Sequence, residues 1–213
     1  MNRHTYRLAA TAALAATSLP ASLPACAAAT SYTNEAAFQA ALGGAAVTVE
    51  SFESTPGGTS TSMVFPTTTV SCSGSRYCPG FFGVSSLLPT LGAKGVYFAT
   101  PDTITFTFDH AITAFGIDMR GLGTVGATHF SGQLSSGASA TFFSGYTGND
   151  TTVQFVGFVD TAGFTSVTFS GTAPDDGIYF DRMQIAPVPE PGAVALLLAG
   201  LGATAIAARR GNR

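Results

Sequence analysis

The 213-residue chain has no tryptophan, three histidines, three cysteines, and charged side chains at only 10% of positions. Each shortage removes a class of function. Of the nine basic residues, Arg3, Arg7, Arg209, Arg210 and Arg213 sit at the two ends. Between Thr30 and Val188 only Arg76, Lys94, Arg120 and Arg182 remain, against eleven acids, a net charge of −7. Binding a phosphate backbone needs a basic face, so nucleic acid is excluded as a partner. A zincin pairs two histidines one helical turn apart, whereas His110 and His129 fall on or near the ends of separate predicted strands. No serine stands in the Gly-x-Ser-x-Gly context of a hydrolase elbow, and no D-x-[DN]-x-[DN]-G calcium loop is present. A Ser/His/Asp triad is defined by geometry rather than spacing. Asp109, His110 or His129 with a serine is therefore an arrangement that only the fold decides, and the sequence by itself points to a protein that is not an enzyme.

What is abundant is alternation. In Ile104-Thr105-Phe106-Thr107-Phe108 the apolar residues fall on one face and threonines on the other, the period-2 mark of a half-buried strand. Thr113–Met119 repeats it. Similar runs cover 47–52, 95–99, 128–134, 140–144, 153–159, 164–170 and 178–185, separated by turn clusters such as Thr147-Gly148-Asn149-Asp150 and Pro174-Asp175-Asp176-Gly177. An amphipathic sheet must cover its apolar face, so the expectation is an all-β, two-sheet β-sandwich of jelly-roll type, with most of the seventeen phenylalanines in its core. One short helix is predicted at Glu35–Leu42, capped by Asn34 and stopped by Gly43-Gly44.

Within this domain three sets of residues carry chemistry. Cys72 and Cys78 lie in a turn-rich segment of an exported region and are expected to form a disulfide. By the chain-entropy estimate so small a loop gains roughly 2 kcal/mol. No cofactor is expected; the candidate ligands for a structural calcium, the one ion the composition leaves open, are Glu50, Glu53 and Asp181, near the first and last strands. With tryptophan absent, tyrosines are left as stacking platforms for a sugar, and Tyr77 and Tyr146 stand in the most exposed settings.

The two ends read as targeting segments. Residues 1–29 form a signal peptide, with a basic start, an apolar stretch from Leu8 to Leu19 and a small-residue cleavage site before Thr30. The exported domain is then 30–187, and a tail covers 188–213. In the tail, Pro189-Glu190-Pro191 cannot join a helix and must be extended. The uncharged run 192–208 behind it is a predicted transmembrane helix, about 26 Å long at ~1.5 Å per residue, and Arg209, Arg210 and Arg213 stop it on the cytoplasmic side.

Pro-Glu-Pro, apolar helix and terminal arginines, in that order, closely resemble the PEP-CTERM sorting signal of Gram-negative bacteria, also known as the ice-binding-protein C-terminal domain. The resemblance implies recognition and cleavage by an exosortase. It implies an inner-membrane intermediate with the domain in the periplasm, and then delivery to the cell surface or an exopolysaccharide matrix. It makes the protein a non-enzymatic structural or binding component, the alternative being a calcium-assisted carbohydrate-binding module. The order of the helix and the runs at 47–53, 114–118, 164–170 and 177–181 also resembles exported domains that precede such tails, some of which are similar to carbohydrate-binding jelly rolls.

Overall fold

The computed structural model describes residues 29–188; the expectations for the signal peptide, Pro189-Glu190-Pro191, the spanning helix and the terminal arginines lie outside these residues. The chain runs β1 (Thr30–Tyr32), α1 (Glu35–Ala41), β2 (Thr48–Glu50), β3 (Gly57–Thr59), β4 (Ser62–Val64), β5 (Thr69–Ser73), β6 (Gly83–Ser85), β7 (Gly95–Ala99), β8 (Thr103–Arg120), β9 (Thr128–Leu134), β10 (Ser139–Tyr146), β11 (Gln154–Gly171) and β12 (Gly177–Pro187). Among the described residues no helix is long and apolar enough to cross a membrane.

The fold is an all-β, sandwich-like arrangement with one short helix. Its layers are built in an unexpected way. The pairs of runs predicted as separate strands, at 104–108 with 113–119 and 153–159 with 164–170, are each continuous, and β8 and β11 pair with one another along their length with a register irregularity at the middle. In a straight strand, residues as far apart as Phe106 and Phe115 stand about 30 Å from each other. Here their ring centroids are 5.6 Å apart, so the two-stranded ribbon doubles over. The exposed segments Asp109–Ala111 and Thr161–Ala162 mark the bend, where Gly163 takes a φ of +83° that glycine accepts without a Cβ penalty.

One layer therefore contains the first half of β8 and the second half of β11, extended by β5, β4 and β3 on one side and by β9 and β10 on the other. The second layer contains the remaining halves, with β1 beside β11 and β12 beside β8. The far edge of β12 carries β7 and β2 in succession, and β6 lies beyond β7. The alternation read from the sequence places Phe106, Phe130 and Phe169 of one layer against Phe98, Phe115 and Phe180 of the other, all essentially buried. Phe169 and Phe180 stack across the layers at 5.6 Å, and Phe130 and Phe98 continue the stack on either side. Rings packed this way gain their burial energy plus about 0.5–1.5 kcal/mol per pair.

The predicted helix forms and covers the outer face of the second layer. The Asn34 side chain accepts from the Ala37 N–H at 2.9 Å, while Gly43 and Gly44 follow with positive φ. Phe38 is fully buried over Gly116 and Gly157, whose missing Cβ atoms leave its ring room. Arg182, in the left-handed region at φ 48° beside a register shift in β12, pairs with Glu35 and Asp118 at 2.5 and 2.8 Å. A bulge re-aims a side chain in this way, and here it ties the helix to the sheet.

Two outcomes are expected. Replacing Phe106, whose ring meets those of Phe52, Phe115, Phe169 and Phe180, with alanine lowers stability by about 3–5 kcal/mol in urea titration, whereas replacing the exposed, outward Thr107 changes it by under about 0.5 kcal/mol. The Glu35 carboxyl is held below its ordinary range, first by its hydrogen bond from Arg182. A depressed carboxylate contributes stability that is present above its unfolded pKa and lost as pH falls through the folded one. The advantage of the parent over Glu35→Gln in urea midpoint is therefore full at neutral pH and shrinks below about pH 4.3.

Candidate functional site

A cleft of about 560 Å³ opens on the outer face of the second layer. Its floor follows from strand alternation. Val96, Phe98, Ile178 and Phe180 point into the core, so Tyr97 of β7 and Tyr179 of β12 point out. The two are directly opposite in register, and their rings stack at 5.8 Å with 28° between planes. The Tyr179 hydroxyl is pushed up, first by burial and then by the negative charge of Asp150, so it stays protonated as a donor. Ser85 of β6 and Asp175 before β12 add polar groups to the lining.

The wall is the loop between β5 and β6, which brings Tyr77 and Phe81 to the cleft as an edge-to-face pair at 5.5 Å. Phe81 is 57% exposed and nearby Leu87 72%, apolar surface that a sandwich core does not use. Two devices hold this wall. Cys72 and Cys78 are bridged, with Cα atoms 5.9 Å apart, as the sequence led one to expect. The buried Asp102 accepts from the N–H groups of Arg76, Tyr77 and Cys78 at 3.3, 2.6 and 2.6 Å. Arg76 then donates from Nε to the Tyr77 hydroxyl at 2.9 Å and pairs with Asp175 at 2.9 Å. Both partners of that pair are about half exposed, so it positions the ring more than it stabilises the fold.

The segment that carries Leu87 is held in a similar manner. Asp181, buried in β12, accepts from the N–H groups of Thr90 and Leu91 through Oδ2 and of Arg182 through Oδ1 at 2.6–2.7 Å. Burial pushes its carboxyl up, and the three N–H donors work against that. Glu53 takes Ala93 and Lys94 N–H groups on one oxygen and is held below its ordinary range, first by Lys94. Glu50 bonds the Phe52 N–H and the Thr67 hydroxyl. The three candidate calcium ligands are thus each engaged in fixing chain segments. Among the described residues no group of three or more His, Cys, Asp or Glu side chains is gathered for a metal.

Of the two tyrosines chosen from the sequence, Tyr77 lines the cleft and Tyr146 does not. The Tyr146 hydroxyl accepts from the Gln154 amide at 2.7 Å, and its ring packs on Phe143 at 5.1 Å. Tyr97 and Tyr179 were missed because each reads as one more outward strand residue until register places them side by side. The histidines are also placed apart from the cleft. His110 is exposed at the bend beside Asp109, and His129, exposed on β9, pairs through Nδ1 with the Ser144 hydroxyl at 3.0 Å.

Comparisons with known proteins separate the domain from the tail. No curated protein matches the chain. Among solved structures, the xylan-binding domain of family 22 from Paenibacillus barcinonensis Xyn10C aligns at 13% identity and TM-score 0.37 over 56% of this chain and 85% of that one. A variant of a family 29 carbohydrate-binding module aligns at 12% and 0.35 over 67% and 92%. The catalytic domain of a GH87 alpha-1,3-glucanase gives 15% and 0.33 over 70% and 29%. Scores this low bring no function to the chain, and the sandwich assignment stands on the strand pairing above. The tail is different: residues 187–211 match the PEP-CTERM protein-sorting motif, so the chain carries that sorting signal, which implies export by way of a membrane-anchored intermediate and an exosortase as its processing enzyme.

Proposed function

We propose that this protein is a non-enzymatic component of the cell surface or exopolysaccharide matrix, sorted there by its tail, and that its sandwich binds glycan in the Tyr97–Tyr179 cleft. The observation that carries this reading is the convergence of Tyr77, Phe81, Tyr97 and Tyr179 on one cleft beside Ser85 and Asp175. Sugar rings present apolar C–H faces and equatorial hydroxyls, and a site that combines flat aromatic rings with a few fixed polar groups meets both. Jelly-roll connectivity belongs to the same reading, as does calcium held near Glu50, Glu53 and Asp181.

The topological part runs through a spanning intermediate with the domain in the periplasm, the apolar run 192–208 in the membrane and the arginines inside. Cleavage near Pro189-Glu190-Pro191 then frees the domain.

Replacing Glu190 with alanine, or deleting Arg209, Arg210 and Arg213, is expected to retain the protein in the membrane fraction. Intact mass of the released parent is expected to end near the Pro-Glu-Pro motif. A released parent that still carries Arg213 would overturn the sorting mechanism. For the cleft, the exported protein is expected to be retained in affinity gels containing glycan. Tyr97→Ala with Tyr179→Ala should weaken retention by about tenfold, some 1.4 kcal/mol. The same gels run with calcium and with EDTA test the ion, and equal retention in the two would remove it from the mechanism.

A further inference from the structure

The outer face of the other layer has an unusual surface. Inward positions of β5, β8, β9 and β11 go to the core, which leaves Ser71, Thr105, Thr168 and Gln133 pointing out, and these are directly paired across the strands, with Ser139 of β10 next in line. A second row, from Ser73 of β5 to Thr141 of β10, repeats the pattern two residues along. Strands lie about 4.8 Å apart and alternate residues about 6.6 Å apart, so the face is tiled with hydroxyls in two directions. Thr105 and Thr168 bond to each other at 2.8 Å, and Ser131 and Thr141 at 3.2 Å. No Asp, Glu, Lys or Arg occupies an outward position of these paired segments. Soluble sheets ordinarily place charges on such a face to keep it hydrated and unpaired.

The face is also shaped. Two shallow depressions of about 310 and 260 Å³ adjoin across it, and both are lined by Gln133 and Thr168. Together they form a trough that crosses β9 and β11.

We propose that this trough holds a segment of uncharged polysaccharide, as a second glycan-binding surface on the side of the sandwich away from the tyrosine cleft. Charge selects the occupant. The trough offers no cation to a polyanion, and the domain around it carries four bases against eleven acids. It offers no aromatic ring for a stacking ligand. What it does offer is a set of neutral groups that both donate and accept, with an exposed amide at Gln133, and a neutral polyol is the polymer that matches such a set. With a site on each layer, one domain joins two chains, so the protein cross-links the matrix to which it is sorted. The cross-linking part rests on the proposed function of the cleft; the trough itself does not.

The test uses the exported protein with hydroxyethylcellulose, dextran and galactan as neutral probes and alginate as the anionic one. Three forms are compared with the parent: Gln133→Lys with Thr168→Lys, Tyr97→Ala with Tyr179→Ala, and all four together. The lysines point outward, and an unchanged thermal midpoint verifies that the fold is kept. Affinity electrophoresis reads binding, and the viscosity of the mixture reads cross-linking. The lysine pair is expected to weaken retention on a neutral probe by about tenfold and to abolish the viscosity increase, while the four-residue variant loses retention altogether. Retention and viscosity equal to the parent's in the lysine pair would overturn the trough. So would alginate retained as well as the neutral probes, or a parent that binds none of them. If the tyrosine variant alone leaves the parent's retention intact while the lysine pair loses it, the cleft reading fails and the trough stands.

Discussion

The doubled ribbon of β8 and β11 is the constraint on which the rest of the structure depends. Two long antiparallel strands bend at Asp109–Ala111 and Thr161–Gly163, and their own apolar faces then meet each other. Each layer starts with two strands already paired, and every other strand adds to an edge of this frame. Because both halves keep the same alternation, one periodic pattern supplies both walls of the core, and Phe106 and Phe115 of a single strand become neighbours across it. The outward faces are fixed by the same event, one bearing hydroxyls and the other bearing α1 and the tyrosine pair.

Loops are organised by a second, repeated device. Buried aspartates, two just before a strand and one inside β12, point their carboxylates at runs of backbone N–H groups: Asp102 at the disulfide loop, Asp181 at Thr90 and Leu91, and Asp176 at Gly123 and Thr124. A carboxylate in a poorly hydrated place needs several donors, and a loop that leaves the sheet has orphan donors to give. Burial pushes the Asp176 and Asp181 carboxyls up, and the N–H donors work against it. The result is that the wall of the tyrosine cleft is fixed, since Tyr77 and Leu87 sit on two of the segments so held.

Much of this was legible in the order of residues. Alternation marked most of the longer strands, Asn34 and Gly43-Gly44 bracketed the helix, and Cys72 and Cys78 announced their bridge. Short strands such as β3, β4 and β6 were not legible, because three residues carry no period. Three of the acids were read as candidate calcium ligands, and each of them fixes a chain segment by accepting backbone N–H groups. That distinction depends on which backbone N–H groups come near, and proximity between residues such as Asp102 and Tyr77 is not written in either segment alone. Likewise, Tyr77 stood out by its turn-rich setting, whereas Tyr97 and Tyr179 became a platform only through pairing register.

The sequence by itself determined the class of fold and the sorting signal. Period-2 patterning is a property of consecutive residues, and the sorting motif is a short contiguous string. Tertiary structure alone decided that two strands would fold over on themselves, that two tyrosines would stack, and that serines and threonines from five strands would tile one uncharged face. Those outcomes depend on the bend of a ribbon and the register between distant segments, which are set by the packing of the whole core rather than by any local run of side chains.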